Sequence, residues 1–214
     1  IAKEKKWNLE DAARKLRYSF LTRVAKQVKA DAVLTAHTQD DQAETVLMQL
    51  LRGAAHLTGM REIQNNVIRP LLNISKQELL EYLTSINQDY RTDESNLDTT
   101  RTRAWLRHEI LPRLEQRYPH VKKTLAELAL LQRENEDYLE HQVNKGIHPL
   151  ADNLLELDLL RRKHRAVQRQ AVATFLESNH APVTKDALER ILTALGETET
   201  VQVSLSATQN AVLS

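Results

Sequence analysis

Apolar residues recur at helical spacing along most of this chain, broken by a few short β-like runs. From Leu9 through Ala12, Ala13, Leu16, Phe20 and Leu21 to Val24 and Ala25 the spacing predicts a helix, with Asn8 able to cap it. Ala32 to Ala36 reads as a short strand. Thr38 to Arg52 reads as a helix stopped by Gly53, with Val46, Leu47, Leu50 and Leu51 as its buried stripe. This α-β-α order is typical of a wound parallel sheet. A second short strand, Asn66 to Arg69, ends at Pro70, whose missing N–H stops a ladder. Ser75 with Glu78 forms a capping box for a helix whose apolar side is Leu79, Leu80, Tyr82 and Leu83.

The second half carries longer helical patterns. Asn87 to Thr100 is polar and turn-rich and reads as a functional loop. Helical spacing resumes from Arg101 to Leu114 through Trp105, Leu106, Ile110 and Leu111, with Arg101, Arg103 and Arg107 at intervals, and Pro119 marks a break. Val121 to about Val143 fits one long amphipathic helix that bridges two domains. Beyond it come a short strand or turn at Asn153 to Asp158, helices at Leu159 to Glu177 and Thr184 to Leu195, and an alternating edge strand at Thr200 to Leu205. The expected architecture is an α/β parallel-sheet segment over 1–118, a linker helix over 119–145, and a mainly α-helical domain over 146–214.

Composition narrows the chemistry. The chain has 214 residues, enough for one or two domains with a real core. It has no cysteine, which excludes disulfides, zinc ribbons, iron–sulfur clusters and thiol catalysis, and points to a reducing compartment. No apolar run reaches a membrane span and the first residues lack a signal-peptide core, so a cytoplasmic location is expected. The net charge is +1, from 30 Lys plus Arg against 29 Asp plus Glu. No global field draws in nucleic acid, so any such binding must come from local patches.

The candidate chemistry sits where the first strand breaks into a carboxylate-rich helix start, Ala36-His37-Thr38-Gln39-Asp40-Asp41-Gln42-Ala43-Glu44-Thr45. In a helix, His37, Asp41 and Glu44 stack on one face. One His and two carboxylates just beyond a strand's carboxyl end suit a divalent metal, an ammonium group or a reacting proton. The plainer alternative is that Asp40 and Asp41 only offset the positive end of the helix dipole while His37 and Glu44 are solvated.

Four blocks together resemble the tRNA(Ile)-lysidine synthetase family of N-type ATP pyrophosphatases. They are Ala13 to Tyr18; Ala36 to Thr45 with Leu50-Leu51-Arg52-Gly53 behind it; Ile68-Arg69-Pro70-Leu71-Leu72; and Asp93-Glu94-Ser95-Asn96 followed by Leu106 to Pro112. Their order and spacing agree over about residues 8 to 120. The resemblance implies a PP-loop ATPase-like catalytic domain that uses ATP and magnesium (Mg2+) to adenylate a base carbonyl. L-lysine then attacks C2 of the wobble cytidine of tRNA(Ile) with a CAU anticodon. By the same resemblance His37, Asp41 and Glu44 line the site. Asp41 and Glu44 are expected to hold the lysine ammonium or a magnesium, with Asp41 as the metal ligand, and to help deprotonate the amine, which must lose a proton before it attacks. Arg17 and Arg107 face the ATP phosphates or the lysine carboxylate, and Asn96 orients substrate. Replacing Asp41 or Glu44 with Ala is expected to abolish lysine incorporation and leave the fold intact. A homodimer is compatible with this reading.

The chain departs from the family in two places. The Ser-Gly-Gly-x-Asp-Ser phosphate loop has no counterpart, and the four glycines, at 53, 59, 146 and 196, form no cradle for pyrophosphate. The chain is therefore expected to be an incomplete enzyme that does not adenylate RNA by itself. Arg103-Ala104-Trp105 stands where the family commonly has Arg-Asn and an aliphatic residue. Related tRNA thiolases share the His-x-x-x-Asp-x-x-Glu-Thr pattern but need cysteines. Two other readings remain: a hydrolytic metal site, and a non-catalytic RNA-binding fragment. For the latter, Arg161, Arg162, Lys163 and Arg165 grip tRNA phosphates, with Lys122-Lys123 adding to them. Trp7 and Trp105 are expected to pack rather than stack on bases.

Overall fold

The computed structural model describes residues 9–54, 56–91, 100–145, 149–151, 154–155, 157–181, 183–196, 201–204 and 210–213. The chain divides into two compact units, Ile1–Leu130 and Leu131–Ser214.

The first unit opens with α1 (Leu9–Val28), β1 (Val33–Leu34) and α2 (Gln39–Leu51). Thr38 caps α2: its hydroxyl accepts from the Asp41 backbone, and the Asp41 carboxylate accepts from the Thr38 N–H at 2.9 Å. A hairpin follows, β2 (Ile63–Gln64) and β3 (Val67–Ile68), turning through Asn65 and Asn66. Asn65 takes the left-handed conformation, φ 55°, that asparagine tolerates in such two-residue turns. The sheet order is β1-β3-β2, with β1 and β3 parallel, so the expected parallel pair forms and β2 adds an antiparallel edge. Sequence periodicity has no power over a strand of two residues, and β2 is not among the elements it predicts.

Next come α3 (Lys76–Ser85), with the Ser75–Glu78 capping box in place, then α4 (Thr102–Trp105), a π-helical turn (Leu106–Ile110) and α5 (Leu111–Arg117). The single helical pattern expected from Arg101 to Leu114 is thus one continuous element with a widened turn in its middle. The starts of α2 and α3 are stitched together: Gln39 N–H donates to the Ile74 carbonyl at 2.9 Å, and Lys76 N–H donates to Asp40 at 2.7 Å. Asp40 also takes the Lys122 ammonium at 2.8 Å, and Lys122 reaches Glu115 at 3.0 Å. Burial pushes the Asp40 carboxyl up, but the hydrogen bonds from Lys122 and the Lys76 backbone outweigh it and hold the group below its ordinary value. The core here gathers Leu47, Leu106 and Leu111, with Trp105 packed against them as expected.

Helix α6 (Val121–Asn144) is the long helix expected from the sequence. In the second unit, β4 (Pro149–Ala151) pairs with β5 (Leu154–Leu155), and three helices follow: α7 (Leu157–Arg161), α8 (Arg165–Ser178) and α9 (Lys185–Ala194). A terminal hairpin joins β6 (Val201–Ser204) to β7 (Asn210–Leu213). The helix expected over Leu159 to Glu177 is in fact two, because His164 acts as an N-cap, its Nδ1 accepting from Ala166 N–H at 3.2 Å. Leu160, Ala171, Val172, Leu176, Leu188 and Leu192 build this unit's core. Among the described residues no helix is long and apolar enough to cross a membrane.

Candidate active site

The parallel strands β1 and β3 end side by side, and their carboxyl ends deliver the site, as in other open α/β sheets. After β1 the chain places His37 and then the start of α2, so Asp41 and Glu44 project on successive turns. Glu44 is 1% exposed.

Both carboxylates are already engaged. Glu44 accepts from Arg107 Nε at 2.5 Å and Nη2 at 2.9 Å, and from Arg103 Nε at 2.7 Å. Asp41 accepts from Arg103 Nη2 at 3.0 Å and Arg107 Nη2 at 3.1 Å, while its other oxygen serves the helix cap. Two guanidiniums therefore interlock with two carboxylates. Arg103 and Arg107, four residues apart, lie on one face of this helix, the second of them within the π-helical turn at Leu106–Ile110. The Glu44 hydrogen bond, against the cost of burial and with the charges of Glu44 and Asp41, raises the Arg107 guanidinium above its ordinary value.

Beside this cluster lies a recess of about 520 Å³. Helix α1 contributes Arg14, Arg17 and Tyr18; the end of β1 contributes Thr35 and His37; Asp41, Arg103 and Arg107 complete the wall. The Arg14 guanidinium sits 5.1 Å from the centre of the Tyr18 ring. His37 Nδ1 shares a hydrogen bond with the Thr35 hydroxyl at 2.9 Å. Burial lowers the His37 pKa, and Arg69, Arg103 and Arg14 add to that against the opposing charge of Asp41. Arg69 stands at the end of β3, 3% exposed, and donates to the Arg61 carbonyl at 2.7 Å.

The lowered His37 pKa carries a pH signature. Between the folded value and the unfolded value near 6.5, the unfolded chain binds more protons, so stability rises with pH through that window. Thermal melts should show the chain losing stability as pH falls from about 7 towards 5. The His37→Gln variant should lose that slope. An unchanged slope in the variant would assign it to another group.

The structure brings Asp41, Arg17, Arg107 and His37 to one recess, with Glu44 buried directly behind, and Asn96 lies outside the described residues. Asp40 is tied to α3 and α6 rather than merely offsetting a dipole. Arg103 is the residue that sequence reasoning passed over. Its signal was the four-residue spacing to Arg107, but nothing local revealed that both would meet α2 some sixty positions earlier.

Glu44 is a buried anion that serves two guanidiniums, so Glu44→Ala does not leave the fold untouched, contrary to the expectation from sequence. Among the described residues no group of three His, Asp or Glu side chains could hold a metal ion, and both Asp41 oxygens already accept hydrogen bonds. The guanidiniums of Arg14 and Arg17 are suited to an anion instead.

The RNA-gripping cluster is also partly spent internally. Arg161 donates to the Leu195 carbonyl at 2.9 Å and pairs with Asp158, and Arg165 pairs with Glu189, which also holds Arg169. Arg162 is exposed and Lys163 half-buried.

Residues 1–114 match the PP-loop domain. The chain belongs to the PP-loop family. Three curated relatives share one name. The PP-loop chain is 40% identical over 205 residues to a tRNA(Ile)-lysidine synthase of Deinococcus radiodurans, covering 96% of this chain and 34% of that protein. It is 44% identical over 186 residues to the tRNA(Ile)-lysidine synthase of Thermus thermophilus, covering 83% and 36%. To that of Deinococcus deserti it is 47% identical over 139 residues, covering 65% and 26%. The PP-loop chain therefore spans between 26% and 36% of the lengths of these three relatives.

Proposed function

We propose that the polypeptide carrying this chain is an ATP-dependent ligase that joins L-lysine to C2 of cytidine 34 in tRNA(Ile) with a CAU anticodon. The observation that carries this reading is the Asp41–Glu44–Arg103–Arg107 cluster, set beside an arginine-lined recess at the carboxyl ends of parallel strands in a PP-loop domain. ATP supplies an adenylyl group that turns the C2 carbonyl oxygen of the cytosine into a leaving group, with diphosphate released. Arg14 and Arg17 suit its phosphates, as forked donors suit oxyanions.

The lysine ε-nitrogen then forms a bond to C2, the C2–O bond breaks to release AMP, and the amine loses its protons. Asp41 is the anion on the recess wall in reach of an ammonium, with Glu44 buried behind it. Asp41 takes the ammonium by exchange for part of a guanidinium contact, since its Oδ1 already accepts from Arg103 and Arg107. An arginine released in that exchange meets the lysine carboxylate. His37, neutral at physiological pH by its lowered pKa, is a proton acceptor beside Asp41. A magnesium at Asp41 would require the same exchange of a guanidinium contact, and no step runs through a metal held there.

The test is incorporation of labelled lysine into a tRNA(Ile) transcript by the full-length parent enzyme. Asp41→Asn and Arg107→Ala should each lower the rate at least about a hundredfold. Wild-type rates in both would remove the assignment.

A further inference from the structure

One cation at the strand ends has no counter-charge. Arg69 follows β3 and is 3% exposed, yet among the described residues its guanidinium makes one hydrogen bond, to the Arg61 carbonyl at 2.7 Å, and its Nε is buried with no partner. Among the described residues no carboxylate pairs with it. A guanidinium keeps its charge whatever its surroundings, so this is a permanent, desolvated positive charge. The main chain fixes where it stands: the Arg69 N–H donates to the Glu62 carbonyl at 2.8 Å, its carbonyl accepts from the Leu72 N–H at 3.2 Å, and Pro70 restricts the backbone between. An unpaired buried charge opposes folding, which points to a role other than stability.

Its neighbour at the end of β1 is His37. The Thr35 N–H donates to the Ile68 carbonyl at 3.0 Å, which sets the two strand ends level, and His37 follows two residues on with its Nδ1 against the Thr35 hydroxyl at 2.9 Å. Charged groups act on His37 from four elements: Arg14 from α1, Asp41 from α2, Arg69 from the end of β3 and Arg103 from α4. Arg17, Tyr18 and Arg107 line the same recess. These charges are unequal in effect. Arg103 and Arg107 are matched in number by Asp41 and Glu44, and Arg14 and Arg17 are exposed to water. Arg69 is neither matched nor solvated. At equal distance a charge acts about four times more strongly at the effective dielectric of about 20 inside a protein than at about 80 in water.

We propose that Arg69 is a positioning residue for proton transfer: its buried, unpaired guanidinium holds His37 in the neutral, proton-accepting form. A second positive charge on the imidazole would face Arg69 with no carboxylate to spare, because Asp41 is already shared between two guanidiniums. The direction of the His37 shift agrees: burial lowers it most, Asp41 opposes, and Arg69 stands ahead of Arg103 and Arg14 among the charges that lower it. The role rests on the reading of His37 as the proton acceptor, and it requires no contact between Arg69 and substrate.

Histidine ring resonances of the 214-residue chain, followed by NMR through a pH titration, test it, with the His37 signal identified by its absence in His37→Gln. In the wild type the His37 midpoint should lie below 6.5, and in Arg69→Met it should rise towards that value. Arg69→Gln, which keeps a donor for the Arg61 carbonyl, should shift it the same way, and Arg14→Gln should shift it less. The loss of stability between about pH 7 and 5 should shrink in Arg69→Met, since the folded and unfolded values converge. In the parent enzyme the Arg69→Met loss of kcat/KM for lysine should be severalfold larger at about pH 6 than at about pH 8. The proposal is overturned by a wild-type midpoint at or above 6.5, by an unmoved midpoint in either Arg69 variant, by an equal shift in Arg14→Gln, or by a loss of activity that is the same at both pH values. Failure of both Arg69 variants to melt cooperatively would also overturn it, by assigning Arg69 to the fold. A shifted midpoint with lysine ligation absent from the parent enzyme would keep the hold of Arg69 on His37 and sink the ligase reading; ligation with an unmoved midpoint would do the opposite.

Discussion

Glu44→Ala lowers the unfolding free energy of the first unit by about 3 kcal/mol, near the lower end for breaking a buried ion pair because the two arginines stay partly exposed. Glu44 is 1% exposed, and the side chains of Arg103 and Arg107 are each 31% exposed. Its removal leaves two guanidiniums facing each other with only Asp41 between them. Glu44→Gln retains one acceptor and the volume, so it should cost less. Urea unfolding followed by Trp105 fluorescence in a Trp7→Phe background measures both. A double-mutant cycle isolates the charge term: in an Arg103→Met/Arg107→Met background the Glu44→Ala cost should shrink sharply. Simple additivity would mean that Glu44 matters for its volume and not for its charge.

Gly59→Ala should be comparably damaging for a different reason. Gly59 has φ +59°, where a side chain is strained, and an added Cβ would stand 2.7 Å from Gln42 Oε1. Gln42 cannot yield cheaply. It is 1% exposed, and its amide donates to the Met60 carbonyl at 3.0 Å and accepts the Met60 N–H at 2.7 Å. Moving it strands buried polar groups on both sides. The Gly59 N–H is itself held by Gln49 Oε1 at 2.9 Å, so the loop cannot shift away from α2 without a further loss. Backbone strain and lost hydrogen bonds together predict about 3 kcal/mol and a fall in melting temperature of roughly 10 °C. Differential scanning calorimetry would show it, and a melt within about a degree of wild type would mean that the loop rearranges freely.

The sequence spoke clearly where the physics is local. The capping box at Ser75 and Glu78 and the long amphipathic run of α6 each depend on residues within a turn or two of one another, and each formed as expected. The gathering of charged groups at the start of α2 was likewise legible, because a strand breaking into a carboxylate-rich helix is a local pattern. What lay hidden was pairing at a distance. Arg103 and Arg107 are 59 and 63 positions from Glu44, and no periodicity announces that one helix's guanidiniums will interlock with another's carboxylates. The break between α7 and α8 was hidden differently: it carries neither glycine nor proline, and a histidine ring makes the cap.

The interlocked cluster also bears on how such a chain can change over generations. Each of its four charges is paired with two residues on the opposing element, so no single replacement that removes a charge at Asp41, Glu44, Arg103 or Arg107 preserves the balance. A drifting lineage has few one-step routes away from it. The two helices are bound to be inherited as a matched pair, and a hybrid that takes α2 from one ancestor and the π-helical turn from another is viable only where both keep the same arrangement of charge.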